Sequence, residues 1–133
     1  MLLKHPDVNQ KLLDSLNSLP ENYTFEQLDS IDYLSACTKE ILRLRTPTPT
    51  TLFRKVVKSF DLCGIKIRKG DYIAPLFMLN HSKPEFFPEG DQFNPDRFLA
   101  NKENNFTVRG TTYPIIPRSM YTPFSMGQRN CLG

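Results

Sequence analysis

Phe124-Ser125-Met126-Gly127-Gln128-Arg129-Asn130-Cys131-Leu132-Gly133 has the form F-x-x-G-x-R-x-C-x-G, and each fixed position has a physical use. Gly127 permits a tight turn with positive φ and a close approach of whatever faces the loop. Phe124 offers apolar cover for a sulfur. Arg129, two residues before Cys131, is placed to give a charge-assisted hydrogen bond to an acidic group. Gly133 falls where a helix would begin, and the amides and dipole of a helix start stabilise a thiolate. The stretch reads as a loop built around an anion, with Cys131 as the thiolate. For a lone cysteine the commoner reading is a buried, inert thiol; five pattern positions filled in order weigh against it here.

Upstream of this loop the chain is poor in periodicity. Between His81 and Gly133 lie proline, asparagine, glycine and aromatic residues, and the 11 prolines of the chain fall mostly from Pro47 onward, where regular helix and central strand are disfavoured. A stretch of that length without regular structure needs a job in a compact domain, and a cofactor would supply one. From Leu52 to Leu79 the pattern is different: Val56, Ile65, Ile67, Tyr72 and Ile73 are β-branched or aromatic, and Cys63-Gly64 and Lys69-Gly70-Asp71 are turn signals. This predicts a small antiparallel sheet.

The N-terminal third predicts helices. Val8, Leu12, Leu16 and Leu19 recur at helical spacing between Asp7 and the stop at Pro20. Thr24 and Gln27 have the form of a capping box for a short helix to about Ser30, with Phe25 and Leu28 on its apolar side. A longer helix runs from about Ile31 to Leu44, with Leu34, Cys37, Ile41 and Leu44 as one buried stripe, and Pro47 and Pro49 end it. The expected class is mainly α with a small antiparallel β-sheet and a long irregular meander: helices about 7–44, sheet about 52–79, meander and cysteine loop 81–133.

Composition narrows the functions. With 39% apolar and 23% charged residues, the 133-residue chain is typical of one packed domain and too apolar for a disordered tail. The net charge of +3 is spread without blocks of one sign, which argues against nucleic-acid binding and leaves room for a weakly basic face toward an acidic protein. The apolar run Ile73 to Leu79 is far short of the ~20 residues that span a bilayer, and the N-terminus has no signal-peptide pattern. Cys37, Cys63 and Cys131 are widely spaced with only His5 and His81 to help. This speaks against a zinc site or disulfide framework and for reduced thiols in a cytosol-facing protein.

Glu40-x-x-Arg43 lies on the long helix, one turn apart on one face. Taken alone, such a pair is usually a solvent-exposed ion pair. Arg97, in Phe93-Asn94-Pro95-Asp96-Arg97-Phe98, provides a second guanidinium on a proline-fixed loop, able to share the Glu40 carboxylate in a partly buried network.

In this order, a helix with Glu-x-x-Arg, a small sheet, a Pro-x-Arg-Phe segment, a meander and the cysteine loop, the chain resembles the C-terminal region of cytochromes P-450 from His5 onward. The resemblance implies haem as cofactor, with Cys131 as the proximal iron ligand, Gly127 close to the porphyrin, Phe124 beside the sulfur, and Arg129 and Arg54 on the propionates. An exposed strand arginine is the competing reading for Arg54. Glu40, Arg43 and Arg97 would be the structural triad that locks the meander. Thr50, Thr51 and Leu52 would face substrate, although Thr48 to Phe53 also makes an ordinary linker. His81 would be structural, near a carbonyl or propionate. Gln128 departs from a position that is often proline, and Asn94 and Asp96 vary the pattern around Arg97.

The implied activity is insertion of one oxygen atom of O2 into an apolar organic substrate. Electrons would come from NADPH through a flavoprotein reductase or other donor on the proximal face, in a parent associated with the endoplasmic reticulum membrane on its cytosolic side. The oxygen-activating helix would lie upstream of Met1 and a supporting helix downstream of Gly133, so the 133 residues are expected to be an inactive fragment. A haem-thiolate isomerase or dehydratase, or a non-catalytic truncated product, would share the same residues.

Overall fold

A computed structural model describes residues 1–48, 53–99, 105–108 and 110–132. At the N-terminal end the caps set the helices. Pro6 occupies the first turn of α1 (Pro6–Asn17), where its missing N–H has no intrahelical partner to lose. Thr24 opens α2 (Phe25–Asp29) with the expected capping box: its side chain accepts the Gln27 N–H at 3.3 Å, and the Gln27 side chain accepts the Thr24 N–H at 2.8 Å. Two details differ from the sequence reading. Leu19 lies beyond α1, half-buried, its N–H bonded to the Leu16 carbonyl, and Phe25 is 75% exposed, so α2 has no buried apolar side.

α3 (Asp32–Leu44) organises the chain. Its buried residues are Tyr33, Ala36, Cys37, Glu40 and Arg43, while Leu34, Ile41 and Leu44 are half-buried. The expected stripe is therefore rotated and wider, because α3 is covered on two sides. On one side Tyr33 and Cys37 join Val8 and Leu12 of α1 and Phe93 in the hydrophobic core, with Leu34, Ile41 and Leu44 packed against it. On the other side Glu40 and Arg43 meet the meander.

The predicted sheet is two nested antiparallel pairs. β1 (Arg54–Lys55) pairs with β4 (Tyr72–Ile73), and within them β2 (Phe60–Leu62) pairs with β3 (Ile65–Ile67). Cys63 and Gly64 link the inner strands with φ of 51° and 83°, the doubly positive turn that suits a two-residue hairpin. Residues 77–79, expected in the sheet, instead belong to α4 (Phe77–His81); a short apolar run does not distinguish strand from helix. The meander is also less irregular than expected. It contains a 3₁₀ turn at Pro95–Phe98 and a hairpin of β5 (Asn105–Val108) and β6 (Thr111–Pro114), in which buried Phe106 stacks on its register partner Tyr113 at 5.7 Å.

Candidate functional site

The Asn94-Pro95-Asp96-Arg97 segment shows how local sequence aims a side chain. The Asn94 side chain accepts the Asp96 N–H at 3.1 Å and Pro95 sits in the first turn, so the 3₁₀ turn starts at a fixed point. It carries Arg97 to the Glu40 carboxylate. Arg97 Nε donates to Glu40 Oε1 at 3.0 Å, Arg43 donates from Nε to Oε2 at 2.7 Å and from Nη2 to Oε1 at 2.8 Å, and the Asn94 N–H adds a bond to Oε1 at 2.9 Å. The relative exposures are 0% for Glu40, 3% for Arg43 and 2% for Arg97. The cluster is thus fully rather than partly buried.

Glu40 alone does not neutralise two guanidinium groups; the Glu89 charge also favours the Arg97 cation, and the remaining N–H groups find backbone oxygens. Arg43 donates to the carbonyls of His81, Gly90 and Gln92, and Arg97 to those of Pro88 and Glu89. Burial pulls the Arg97 guanidinium below its usual range, opposed by the Glu40 charge, with Arg43 adding to the pull. The bonded carbonyls put these donors to structural use: they fix the backbone of residues 81–92 over α3. Sequence reasoning missed these acceptors. A backbone carbonyl has no residue identity to read.

His81, at 1% exposure, lies between this cluster and the cysteine loop. Its ring packs between Phe87 and Tyr121, at centroid distances of 6.3 and 5.6 Å. Tyr121 donates its hydroxyl to the Lys39 carbonyl at 3.0 Å, and burial pushes its phenol upward.

The cysteine loop is of a different character. Thr122 accepts the Ser125 N–H at 3.0 Å and Phe124 accepts the Cys131 N–H at 2.9 Å. Ser125 and Gly127 have φ of 68° and 79°, so Gly127 takes the left-handed conformation anticipated for it. Cys131 and Arg129 are exposed, and so are Phe124, Met126 and Leu132. Arg54 is exposed on β1, the surroundings its competing reading described. Cys37 is buried on α3, and burial raises its thiol pKa, whereas Cys63 is exposed at the hairpin turn. Thr50, Thr51, Leu52 and Gly133 lie outside the described residues. A cavity of about 820 Å³ separates α3 from the loop, lined by Lys39, Leu42, Arg97, Phe98, Phe124 and Met126 among others. Thr122 also lines it, and its hydroxyl is buried without a hydrogen-bond partner among the described residues.

The family model for cytochrome P450 matches residues 1–133, and the chain belongs to that family. It is 36% identical to cytochrome P450 3A19 of Capra hircus aegagrus, over 99% of this chain and 57% of the relative. It is 37% identical to the lithocholate 6-beta-hydroxylase of Mesocricetus auratus, over 99% of this chain and 25% of the relative. Among solved structures it superposes on the retinoic acid bound cyanobacterial CYP120A1 with a TM-score of 0.82 at 26% identity, covering 99% of this chain and 28% of the other. The chain therefore spans between about a quarter and somewhat over half of the length of these relatives.

Proposed function

We propose that these residues form the iron-ligand side of a haem-thiolate monooxygenase, acting within a polypeptide of the relatives' length. The observation that carries this reading is the Cys131 loop: an exposed thiol on a turn closed by the Cys131 N–H to Phe124 carbonyl bond, in a segment whose Phe124, Met126 and Leu132 are exposed as well. These residues fit a haem. Among the described residues no three His, Cys, Asp or Glu side chains gather as a chelating set, and one protein sulfur suits an iron whose other ligands come from a macrocycle. Haem, when bound, supplies the iron on which O2 is activated, and a thiolate ligand pushes electron density onto it.

The chain's own residues bind and orient. Cys131 supplies the sulfur, Gly127 leaves room for a flat face because it has no side chain, and Phe124 and Met126 offer apolar surface. Arg129 and Arg54, both exposed, would meet the propionates, and Thr50, Thr51 and Leu52, which lie outside the described residues, would face substrate. Glu40, Arg43 and Arg97 hold the meander and take no part in the chemistry. The whole protein would accept electrons from NADPH through a flavoprotein reductase at the endoplasmic reticulum membrane and oxidise an apolar substrate. Support for hydroxylation comes from the relative named for 6-beta-hydroxylation of lithocholate. No helix of the described residues is long and apolar enough to cross a membrane.

In a haem-loaded polypeptide carrying these residues, Cys131→Ser should abolish the thiolate-type absorption of the reduced carbonyl complex, and Cys37→Ser should leave it. Loss with Cys37→Ser alone would give the ligand role to the wrong cysteine. The 133 residues by themselves are expected to be inactive and, in a haemin titration followed by absorbance, to form no saturable one-to-one thiolate-type complex. They offer one face to the porphyrin, and cofactor binding is driven by burying both.

A further inference from the structure

Thr122 is the residue from which the cysteine loop starts, and its N–H points at the Nε2 atom of His81, 3.0 Å away. A backbone N–H only donates, so Nε2 accepts and the ring proton of neutral His81 belongs on Nδ1. That atom lies 3.2 Å from Thr46 Oγ1, just past the end of α3, and the Thr46 hydroxyl in turn donates to the Leu42 carbonyl at 2.8 Å. The same hydroxyl also lies 3.4 Å from the Arg43 carbonyl, so the last turn of α3 receives its proton. The relay is anchored at its other end too, because Arg43 donates to the His81 carbonyl at 2.8 Å.

We propose that His81 is a positioning residue for the Cys131 loop: its neutral imidazole, braced on Thr46, holds the Thr122 N–H and so sets where the loop begins. This rests on the reading of Cys131 as a ligand only for its purpose; the tether itself is a property of these residues. The path to the sulfur is short. Thr122 holds Ser125 through its carbonyl, and the adjacent Phe124 carbonyl holds the Cys131 N–H.

Protonation would place a second hydrogen on Nε2, facing the Thr122 N–H, and two donors do not bond. The groups around the ring set when this happens. From α3, Arg43 presents its charge with Glu40 behind it, while its backbone carbonyl acts in the opposite sense; from the loop segment Tyr121 lies tilted against the ring; from the meander Phe87 meets it in a T-shaped contact. Burial first and Arg43 second hold the His81 pKa below the usual histidine value. The tether is therefore intact at neutral pH and is lost as pH falls through that lowered value.

A bulky ring filling the space between Phe87 and Tyr121 would explain the burial of His81 without a tether, and two variants separate these roles. His81→Phe keeps the ring and removes the acceptor; His81→Gln keeps an acceptor of similar reach and cannot take up a proton. The measurement is residue-resolved amide hydrogen exchange by NMR on the haem-free 133-residue chain. In His81→Phe the Thr122, Ser125 and Cys131 amides should exchange about tenfold or more faster, with the β2–β3 amides unchanged, and His81→Gln should restore protection to within about threefold. With intrinsic rates divided out, acid should lower protection of these amides in the parent and not in His81→Gln. Unchanged exchange in His81→Phe, equal losses in both variants that spread to β2–β3, or no protection in the parent would each overturn the proposal. Because no haem is present, failure of the ligand reading shows in the carbonyl spectrum and leaves this pattern standing.

Discussion

The two charged regions of this chain are built in opposite ways. The Glu40, Arg43 and Arg97 cluster is sealed: its side chains are buried, and its bonds end on oxygens within residues 40–97. The Cys131 loop keeps its closing bonds on the backbone and turns its thiol, Arg129 and apolar side chains outward. The difference assigns their work. A buried charge is tolerated only where the surroundings already compensate it, so the cluster is a scaffold complete in itself. An exposed thiol among exposed apolar groups is a face prepared for something else to cover.

The largest effect expected from this contrast is at Glu40. Glu40→Gln removes the carboxylate that two buried guanidinium groups share and sets an amide N–H₂ against their donors, a change that costs about 3–5 kcal/mol. Folding stabilities are about 5–15 kcal/mol, so urea unfolding followed by circular dichroism should show most of the stability gone. Cys131→Ser, at an exposed position, should stay within about 0.5 kcal/mol of the parent. Equal losses at the two sites would make the loop a part of the scaffold and end the distinction.

Sequence reading reached these two regions unequally. Glu40 and Arg43 are legible because helical spacing places them on one face, and Arg97 because Pro95 fixes its loop and the family resemblance brings it to Glu40. Their full burial is not, since it follows from the meander closing over α3 through carbonyl oxygens. His81 as a link was invisible for the same reason: its partners are a backbone N–H and a hydroxyl far away in sequence. The β5–β6 hairpin did have a signal, Phe106-Thr107-Val108 and Thr111-Thr112-Tyr113 about Gly110, but the surrounding prolines outweighed it. Residues 77–79 of α4 read as strand in the sequence because five residues are too few to show a period.

The glycines sharpen the contrast at an intermediate scale. A Cβ at Gly90 would stand 2.9 Å from the Phe87 carbonyl oxygen and 3.2 Å from that of Ser82. Both are backbone atoms, and Gly90 itself offers its carbonyl to Arg43, so Gly90→Ala should cost about 1–3 kcal/mol. Gly127 has open space around it and a φ of +79°, and Gly127→Ala should cost about 1 kcal/mol from backbone strain alone. Thermal unfolding should rank them in that order, and amide exchange should confine the Gly127→Ala change to residues 122–132. A larger loss at Gly127 would mean that the loop, and not the cluster, sets the tolerance of this part of the fold.

The smallest effect belongs to the charge pair that resembles the cluster on paper and lacks its burial. Lys11 of α1 donates to Asp96, the neighbour of Arg97, at 2.7 Å, but the two side chains are 51% and 49% exposed. Water screens such a pair, and its worth is about 0–1 kcal/mol; the ammonium also sits 4.3 Å from the Tyr33 ring centroid, a contact of about 0.5–1 kcal/mol at exposed sites. Lys11→Met keeps the apolar stem and replaces the cation–π contact with a sulfur–aromatic one of about the same worth, so the net loss should be about 1 kcal/mol or less. Salt then separates the two kinds of pair. Raising ionic strength from about 0.01 to 1 M shortens the screening length from about 30 to 3 Å, which should shrink the ion-pair part of the Lys11→Met deficit and leave the Glu40→Gln deficit almost unchanged, because salt does not enter the cluster. A Glu40→Gln deficit that fades with salt would show that the cluster opens to solvent and would break the comparison at its stronger end.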